Sequence, residues 1–510
     1  MAASPSPARA IPATLHATLI ARLDRLGPIA KEVAQIGAVA GREFGYDLIE
    51  AVARRPAAEL QSGLGRLAEA GLLFCRGIAP QSSYLFKHAL IRDAAYETLL
   101  RSRRRVVHAR VLETLKKDPG APPEILARHA EAAGLIEQAI DYWQQSGECA
   151  LARPAYHEAV ADFTNAIRLV GATGDPALWQ KRELALQIQL GHASIAADAY
   201  GAQSTARAFS RAMELAEAVG DTSSLFPALF GVWAGRFIRS EPSSEVAAHF
   251  LELTERSADT GARLVALKAV AGERFHTGRF AEALQVVEEI LDRYSPTAHR
   301  DSGPQYGHDT RVAALCYKSW ALGQLGFVDQ ADHAGLAALS WAAEVSHANT
   351  TGYAHFQGAL VPDVLQRRME RVEDRARSAI QICDELALPL WRDRSRLVLG
   401  WALAHGGQHE LSLTDIAAGL ADLHKRQSIL VVLMLGVAAE AQALVGDWDG
   451  AVATVGEAFE TFERGRDSAW MADLHRIRAF IWLRGRQPAC DQAEADLAQA
   501  IEIARRQSAK

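Results

Sequence analysis

Gly278-Arg279-Phe280-Ala281-Glu282-Ala283-Leu284 returns as Gly326-Phe327-Val328-Asp329-Gln330-Ala331, and again as Gly446-Asp447-Trp448-Asp449-Gly450-Ala451-Val452. Each copy is a glycine, a polar or aromatic residue, and then an apolar run with alanine at a close-packing position. Weaker copies begin near Glu370, Gly407 and Gly485, so that successive copies lie 48, 44, 37, 39 and 39 residues apart. Self-similarity at such a period marks a stacked repeat. The glycine ends the first of two helices in a left-handed turn that other residues resist. The aromatic residue is expected to wedge between one hairpin and the next, and the alanine lets two helix backbones approach. A single hairpin cannot bury both of its apolar faces, so neighbours must stack.

A two-helix repeat of about 34 residues defines the tetratricopeptide class, and the longer steps here predict longer helices. The expectation is a TPR-like α-solenoid of helix hairpins over 262–510. More degenerate hairpins are expected over 119–261, with Gly134-Leu135-Ile136-Glu137-Gln138-Ala139-Ile140 the clearest of them. A solenoid adds core as it adds repeats. That suits a chain of 510 residues, because a single core stops growing near ~250–300 residues.

The N-terminal part reads differently. Leu15, Leu19, Leu23 and Leu26 share a helical face, and Gly27-Pro28 ends that helix and opens another that stops at Gly41. Tyr46 to Ala53 is a short helix, and Ala57 to Ala70 a longer one with Leu60, Leu64 and Leu67 on one face. Leu72–Arg76 and Ser83–Lys87 are apolar runs around a polar turn, which predicts a β-hairpin. A helix from His88 to Leu100 follows. Three helices and then a hairpin is the winged-helix order. The fold class expected is therefore mainly α, with a winged-helix domain carrying one short β-hairpin over 11–118 ahead of the solenoid. Residues 1–10, rich in Ser, Pro and Ala, read as a disordered lead-in.

The net charge of −6 divides unevenly: up to Asp118 there are 18 Lys and Arg against 11 Asp and Glu, a net of +7, and the rest carries −13. Arg101, Arg103, Arg104 and Arg105 cluster within the basic part, where they could touch phosphate or dock on the acidic solenoid. The helix that would read DNA, Ala57 to Ala70, holds only Arg66 against Glu59 and Glu69, which argues against DNA as a partner. The five cysteines are scattered and expected to be small buried hydrophobes in a reducing compartment. The start lacks the apolar run of a signal peptide. The most apolar stretch, Ile429 to Ala439, has 11 residues where a membrane span needs about 20. The expectation is a cytoplasmic protein with no membrane contact.

No glycine is followed by lysine, so the phosphate-cradling GxxxxGK[ST] motif is missing, as are HExxH and GxSxG. No catalytic residue, cofactor or metal site is expected. Aromatic and charged residues recur in the later repeats at His308, Asp309, Trp320, Trp391, Trp401, His475 and Arg476. They are candidates for a groove that takes a protein partner or small effector, as concave repeat faces do. The alternative for each is packing between repeats.

The segment Tyr84-Leu85-Phe86-Lys87-His88-Ala89-Leu90-Ile91-Arg92-Asp93-Ala94-Ala95-Tyr96, with Arg103 to His108 after it, resembles a family of bacterial signalling proteins. In these, a class III adenylate/guanylate cyclase domain precedes an AAA/STAND-type ATPase and a long tetratricopeptide region. Ile11-Pro12 to Leu26, Gly307-His308-Asp309 through Trp320 to Ala331, Pro389-Leu390-Trp391 to Ala404, and Ala472-Asp473-Leu474-His475-Arg476 carry the same resemblance. It implies a regulatory C-terminal half, without the cyclase's metal-binding aspartates or the ATPase's lysine. A cyclase/ATPase module would then act in trans. The second reading is a winged-helix transcription regulator with the solenoid as effector domain.

Overall fold

Glycines 278, 326, 407 and 446 all end a helix at positive φ, between 75° and 88°. Each turn closes with the same long backbone bond. Arg279 N–H donates to Arg274 O (2.8 Å), Phe327 to Leu322 (2.8 Å), Gln408 to Leu403 (2.9 Å) and Asp447 to Gln442 (2.9 Å). This is the Schellman closure, which satisfies carbonyls the helix end would leave bare. The copy expected near Glu370 turns instead at Arg367, whose φ is 54°, with Arg368 N–H on Asp363 O at 2.9 Å. Gly485 is the exception: its φ is −63° and it turns without the left-handed step.

The computed structural model describes residues 13–153, 155–171, 176–198, 200–239, 241–300, 306–425, 430–465 and 467–510, and the chain divides into two units between Arg182 and Glu183. The proposed lead-in, 1–10, lies outside the described residues. In the second unit the hairpins run as paired helices: Thr260–His276 with Phe280–Arg293, Thr310–Gln324 with Val328–Val345, Pro389–His405 with His409–Lys425, Val431–Leu444 with Trp448–Gly465, and Met471–Arg484 with Cys490–Arg506. One first helix is broken into Ala348–Tyr353, a π-wound segment Ala354–Leu360, and Val361–Leu365, before Met369–Glu385. Close approach explains a glycine here: a Cβ on Gly335 would lie 2.3 Å from the carbonyl oxygen of Gly358 in the π segment.

Five residues after each turn the side chain is fully buried: Ala283, Ala331, Val372, Ser412 and Ala451, and Ala139 after Gly134 in the first unit. These are the points where paired helices touch. The aromatic wedge holds only in part. Phe280, the first helical residue after its turn, is fully buried, whereas Phe327 is 48% exposed. Phe327 stands one residue nearer its glycine, at the N-cap rather than in the helix, and so points outward. The cysteines also divide: Cys316 and Cys383 are buried, while Cys75, Cys149 and Cys490 are exposed, and all are free.

The first unit holds helices Ala13–Arg25, Gly27–Ala40, Tyr46–Ala53, Ala57–Glu69, Ala89–Glu97, Arg101–Leu115, Pro123–Ala133, Ile136–Ala152 and Tyr156–Val170. The expected hairpin is present as β2 (Leu73–Arg76) and β3 (Ser83–Phe86), but it is not alone. A third strand, β1 (Glu43–Gly45), pairs antiparallel with β3, giving the order β1-β3-β2. Three residues are too few to show an alternating pattern. Phe44 anchors the strand by packing on Tyr84 and Phe86, with ring centroids 5.9 and 5.7 Å apart. Leu23, Val33, Leu60, Leu64, Phe86 and Ile91 form the core beneath this sheet.

Where Arg101–Leu115 meets Pro123–Ala133, two buried histidines touch: His108 Nδ1 lies 3.0 Å from His129 Nδ1, and His108 Nε2 lies 3.1 Å from the Tyr96 hydroxyl. Burial pushes both imidazoles down to about 4, and for His108 the neighbouring His129 and Arg104 add to it.

Two expectations follow. Ala331→Leu should overfill the touching point and cost about 1–3 kcal/mol, while the exposed neighbour Gln330→Ala should stay within about 0.5 kcal/mol; urea denaturation compares them. The unfolded chain protonates its histidines near pH 6.5, whereas this folded pair resists until about pH 4. Their contribution is therefore complete above pH 6.5 and is lost as pH falls from 6.5 towards 4, by at most about 3 kcal/mol for each imidazole. Melting at pH 7.5 and 5.0 should show a smaller acid loss for His129→Leu than for the native chain.

Candidate functional site

Most first helices of the hairpins in the second unit are buried on almost every side, Met471–Arg484 being the exception with one buried stripe. Val431–Leu444 buries every residue from Val432 to Ala443, and Pro389–His405 every residue from Leu397 to Ala404. The second helices bury one stripe, as in Met369–Glu385, where Val372, Ala376, Ala379 and Cys383 turn inward. A helix apolar on all sides belongs inside the stack, and a charge within it needs a partner. Glu440 and Lys268 answer that demand in opposite ways.

Glu440 is fully partnered. Arg367 donates to its two oxygens at 3.0 and 2.8 Å, Arg476 at 3.2 Å and the Trp401 indole N–H at 2.8 Å. Burial pushes the carboxyl up, but the Arg367 hydrogen bonds, the charges of Arg476 and Arg367 and the indole outweigh it and hold it below the usual carboxylate range. Arg476 is steadied in turn by Asp473 at 2.6 Å. The left-handed Arg367 is explained by the same cluster: its side chain bridges 73 residues of sequence to Glu440, which a glycine at that turn could not do.

Lys268 has no such set. It is 3% exposed, its Nζ stands 4.4 Å from the centre of the Phe230 ring, and Nζ has no hydrogen-bond partner among the described residues. Burial pushes its ammonium down to about 7, against the pull of Asp309. Asp309 is already engaged. Its carboxylate accepts from the Tyr294 hydroxyl (2.6 Å) and caps Thr310–Gln324 at the Val312 N–H (2.9 Å), while its own N–H donates to Thr350 Oγ1 (3.0 Å). His308, beside it, stacks on Tyr353 at 4.2 Å. Burial, then the charges of Lys268 and His347, push its imidazole well below the ordinary range.

The sequence candidates therefore fall into groups. His308, Asp309 and Trp391 come together: Tyr353 meets Trp391 edge-on at 5.5 Å, the Trp391 indole donates to Asn349 Oδ1 (2.7 Å), and Asn349 donates to Gly307 O (2.6 Å). Trp401 and Arg476 meet at Glu440. Trp320 stands apart, donating to Gln357 O at 2.7 Å and packing on Phe275 and Trp470. His475 lies 2.7 Å from Asp496 through Nδ1. In the first unit Arg103 pairs with Glu32 at 2.9 Å, Arg104 donates to Glu97 O (3.1 Å), Arg105 donates to Ala133 O (3.2 Å), and Arg101 is exposed. Sequence reasoning missed Lys268 and Glu440. The signal for Lys268 was a single charge inside Leu264–Ala271. Glu440 marked the end of an apolar run, although the helix carries on to Leu444.

Among the described residues no group of three or more His, Cys, Asp or Glu is placed to hold a metal ion, and no helix is long and apolar enough to cross a membrane.

No family model matches the sequence. The chain is 26% identical over 508 residues to an uncharacterized protein of Rhizobium meliloti (strain 1021), covering 96% of this chain and 48% of that one. The chain thus spans about half the length of the curated relative it matches. Among solved structures it is similar to a Rap protein complexed with competence and sporulation factor, with a TM-score of 0.51 and 13% identity over 72% of this chain and 98% of that one. A STAND protein with a tetratricopeptide repeat sensor from Pyrococcus horikoshii aligns at a TM-score of 0.33 and 15% identity, over 83% of this chain and 66% of that one. The Rap likeness identifies the fold as a TPR-like helical solenoid.

Removing the Glu440 carboxylate would leave two guanidinium groups facing each other at a buried position. Glu440→Ala should cost about 3–5 kcal/mol in urea denaturation, and Glu440→Gln, which keeps an acceptor for Trp401, should cost less.

Proposed function

We propose that the chain is a non-catalytic regulatory module whose solenoid recognises a protein partner or small effector. One observation carries the reading: 98% of a Rap protein, caught in complex with competence and sporulation factor, shares the fold over 72% of this chain. Within that reading, His308 and Asp309 with Trp391, Arg476 with Trp401, and His475 with Asp496 are the groups an effector meets, and Trp320 keeps the helices beneath them in register. Arg476 and His475 are the accessible members, with about a third and an eighth of the side chain exposed (33% and 12%).

The finer context is also a proposal. In the first unit the order helix, strand, helix, helix, strand, strand with β3 central supports a winged-helix domain over 11–118. The resemblance to cyclase–ATPase–TPR signalling proteins suggests what the module regulates: an ATPase or cyclase, in a longer chain or in trans. Degenerate hairpins over 119–261 then link it to the solenoid of 262–510. Differential binding to two states of that partner would convert recognition into regulation. The contacts of Arg103, Arg104 and Arg105 within the first unit give DNA binding no support.

Panning a displayed random-peptide library on the purified chain tests the reading. Enriched peptides should bind the native chain in calorimetry and bind the Arg476→Ala, His475→Ala double variant at least tenfold more weakly, with its helical circular dichroism unchanged. Failure to enrich any binder, or equal binding by both proteins, would contradict it.

A further inference from the structure

Lys268 is a charged group in the solenoid that the packing does not explain. An ammonium taken out of water without an acceptor destabilises the folded state. The cation–π contact with Phe230 returns only part of that. Replacing the lysine by an apolar side chain of similar length would remove the cost, and uncompensated costs of this kind concentrate at functional sites.

The surroundings define what is missing. Phe230 comes from the helix Thr222–Ile238 and is met edge-on by Tyr306 at 5.5 Å and by Tyr200 at 6.4 Å. His308 and Asp309 come from the turn before Thr310–Gln324. The nearby anion, Asp309, has its oxygens committed to Tyr294 and Val312 and forms a helix cap rather than an ion pair. His347 is occupied by Thr350, at 2.9 Å. One cation and one partly buried imidazole therefore stand among aromatic rings from separate helices, with no acceptor among the described residues bonded to the cation.

We propose that Lys268 and His308 form the anion-reading end of an effector site in the solenoid, and that the group they take is a carboxylate. The carboxylate accepts from the Lys268 ammonium and from the ring N–H of His308, while the rings of Phe230, Tyr306 and Tyr353 enclose its apolar stem. A small acid and the free C-terminus of a peptide both carry this chemistry. The proposal rests on the effector-binding reading above and names the chemistry of its ligand.

The test measures melting temperature for the full native chain and for Lys268→Met. It is run at pH 7 and constant ionic strength in chloride, in succinate, in trialanine with a free C-terminus, and in trialanine amide. In chloride at pH 7, Lys268→Met should melt higher than the native chain. The difference should shrink as pH rises to about 10.5, where the unfolded lysine also becomes neutral. Succinate or trialanine acid should raise the native melting temperature by about 2 °C or more and leave Lys268→Met unmoved. A response to succinate marks a small acid, and a response to the trialanine acid but not its amide marks a chain end. A variant that melts at or below the native chain in chloride, or carboxylates that shift neither protein or both equally, would overturn the proposal. If that happens while peptides sensitive to Arg476→Ala, His475→Ala are still enriched by panning, the interaction-module reading stands and the Lys268 site alone is lost.

Discussion

The architecture of the second unit depends on how its helices end. Except at Gly485, a left-handed residue closes each first helix and sends the chain back, and the residue five places on then falls against the helix just completed. That contact leaves no room: Ala283, Ala331 and Ala451 are wholly buried, and Val372 and Ser412 hold the equivalent positions in copies with weaker sequence signals. Turn and contact are local, so the hairpins that carry them form in the same way whatever their neighbours are. Stacking then follows because each hairpin has apolar surface left over.

Stacking has an electrostatic consequence. Most first helices become interior on nearly all sides, and a charge on such a helix is removed from water. At Glu440 the chain supplies Arg367, Arg476 and Trp401, from three other hairpins, so that one carboxylate ties together segments far apart in sequence. The arginine at a turn where glycine is the easier choice belongs to the same solution, because the strain of a left-handed non-glycine residue is offset by a two-pronged ion pair. At Lys268 the chain supplies an aromatic ring and, in Asp309, a carboxylate already committed to other donors. The contrast between these two sites is the strongest functional signal in the solenoid.

Much of this was legible in the sequence. The glycine-led pattern gave the hairpins and their approximate period, and the apolar runs around Gly77–Ser82 gave β2 and β3. What was hidden had physical reasons. β1 is three residues long and held by tertiary packing of Phe44. Arg367 does the work of a glycine without looking like one, which displaced that copy by three residues, to Glu370. The wedge at Phe327 failed because a shift of one residue moved the ring from the helix to its cap. The tryptophans were visible as candidates, but whether an indole lines an opening or fills a core depends on the neighbouring repeat. Glu440 and Lys268 were invisible as a pair because a lone charge in an apolar run reads as a boundary until the helix is seen to continue past it.

The buried first helices form a closed interior in which Glu440 is held by partners and Lys268 is not. Amide hydrogen exchange resolved helix by helix is its most direct measurement. The slowest exchange of the second unit is expected in Thr310–Gln324, Pro389–His405 and Val431–Leu444, near the limit set by global unfolding, with Met369–Glu385 and Cys490–Arg506 markedly faster on their outer faces. Exchange in the first helices as fast as in the second would mean an interior open to water, and would contradict it.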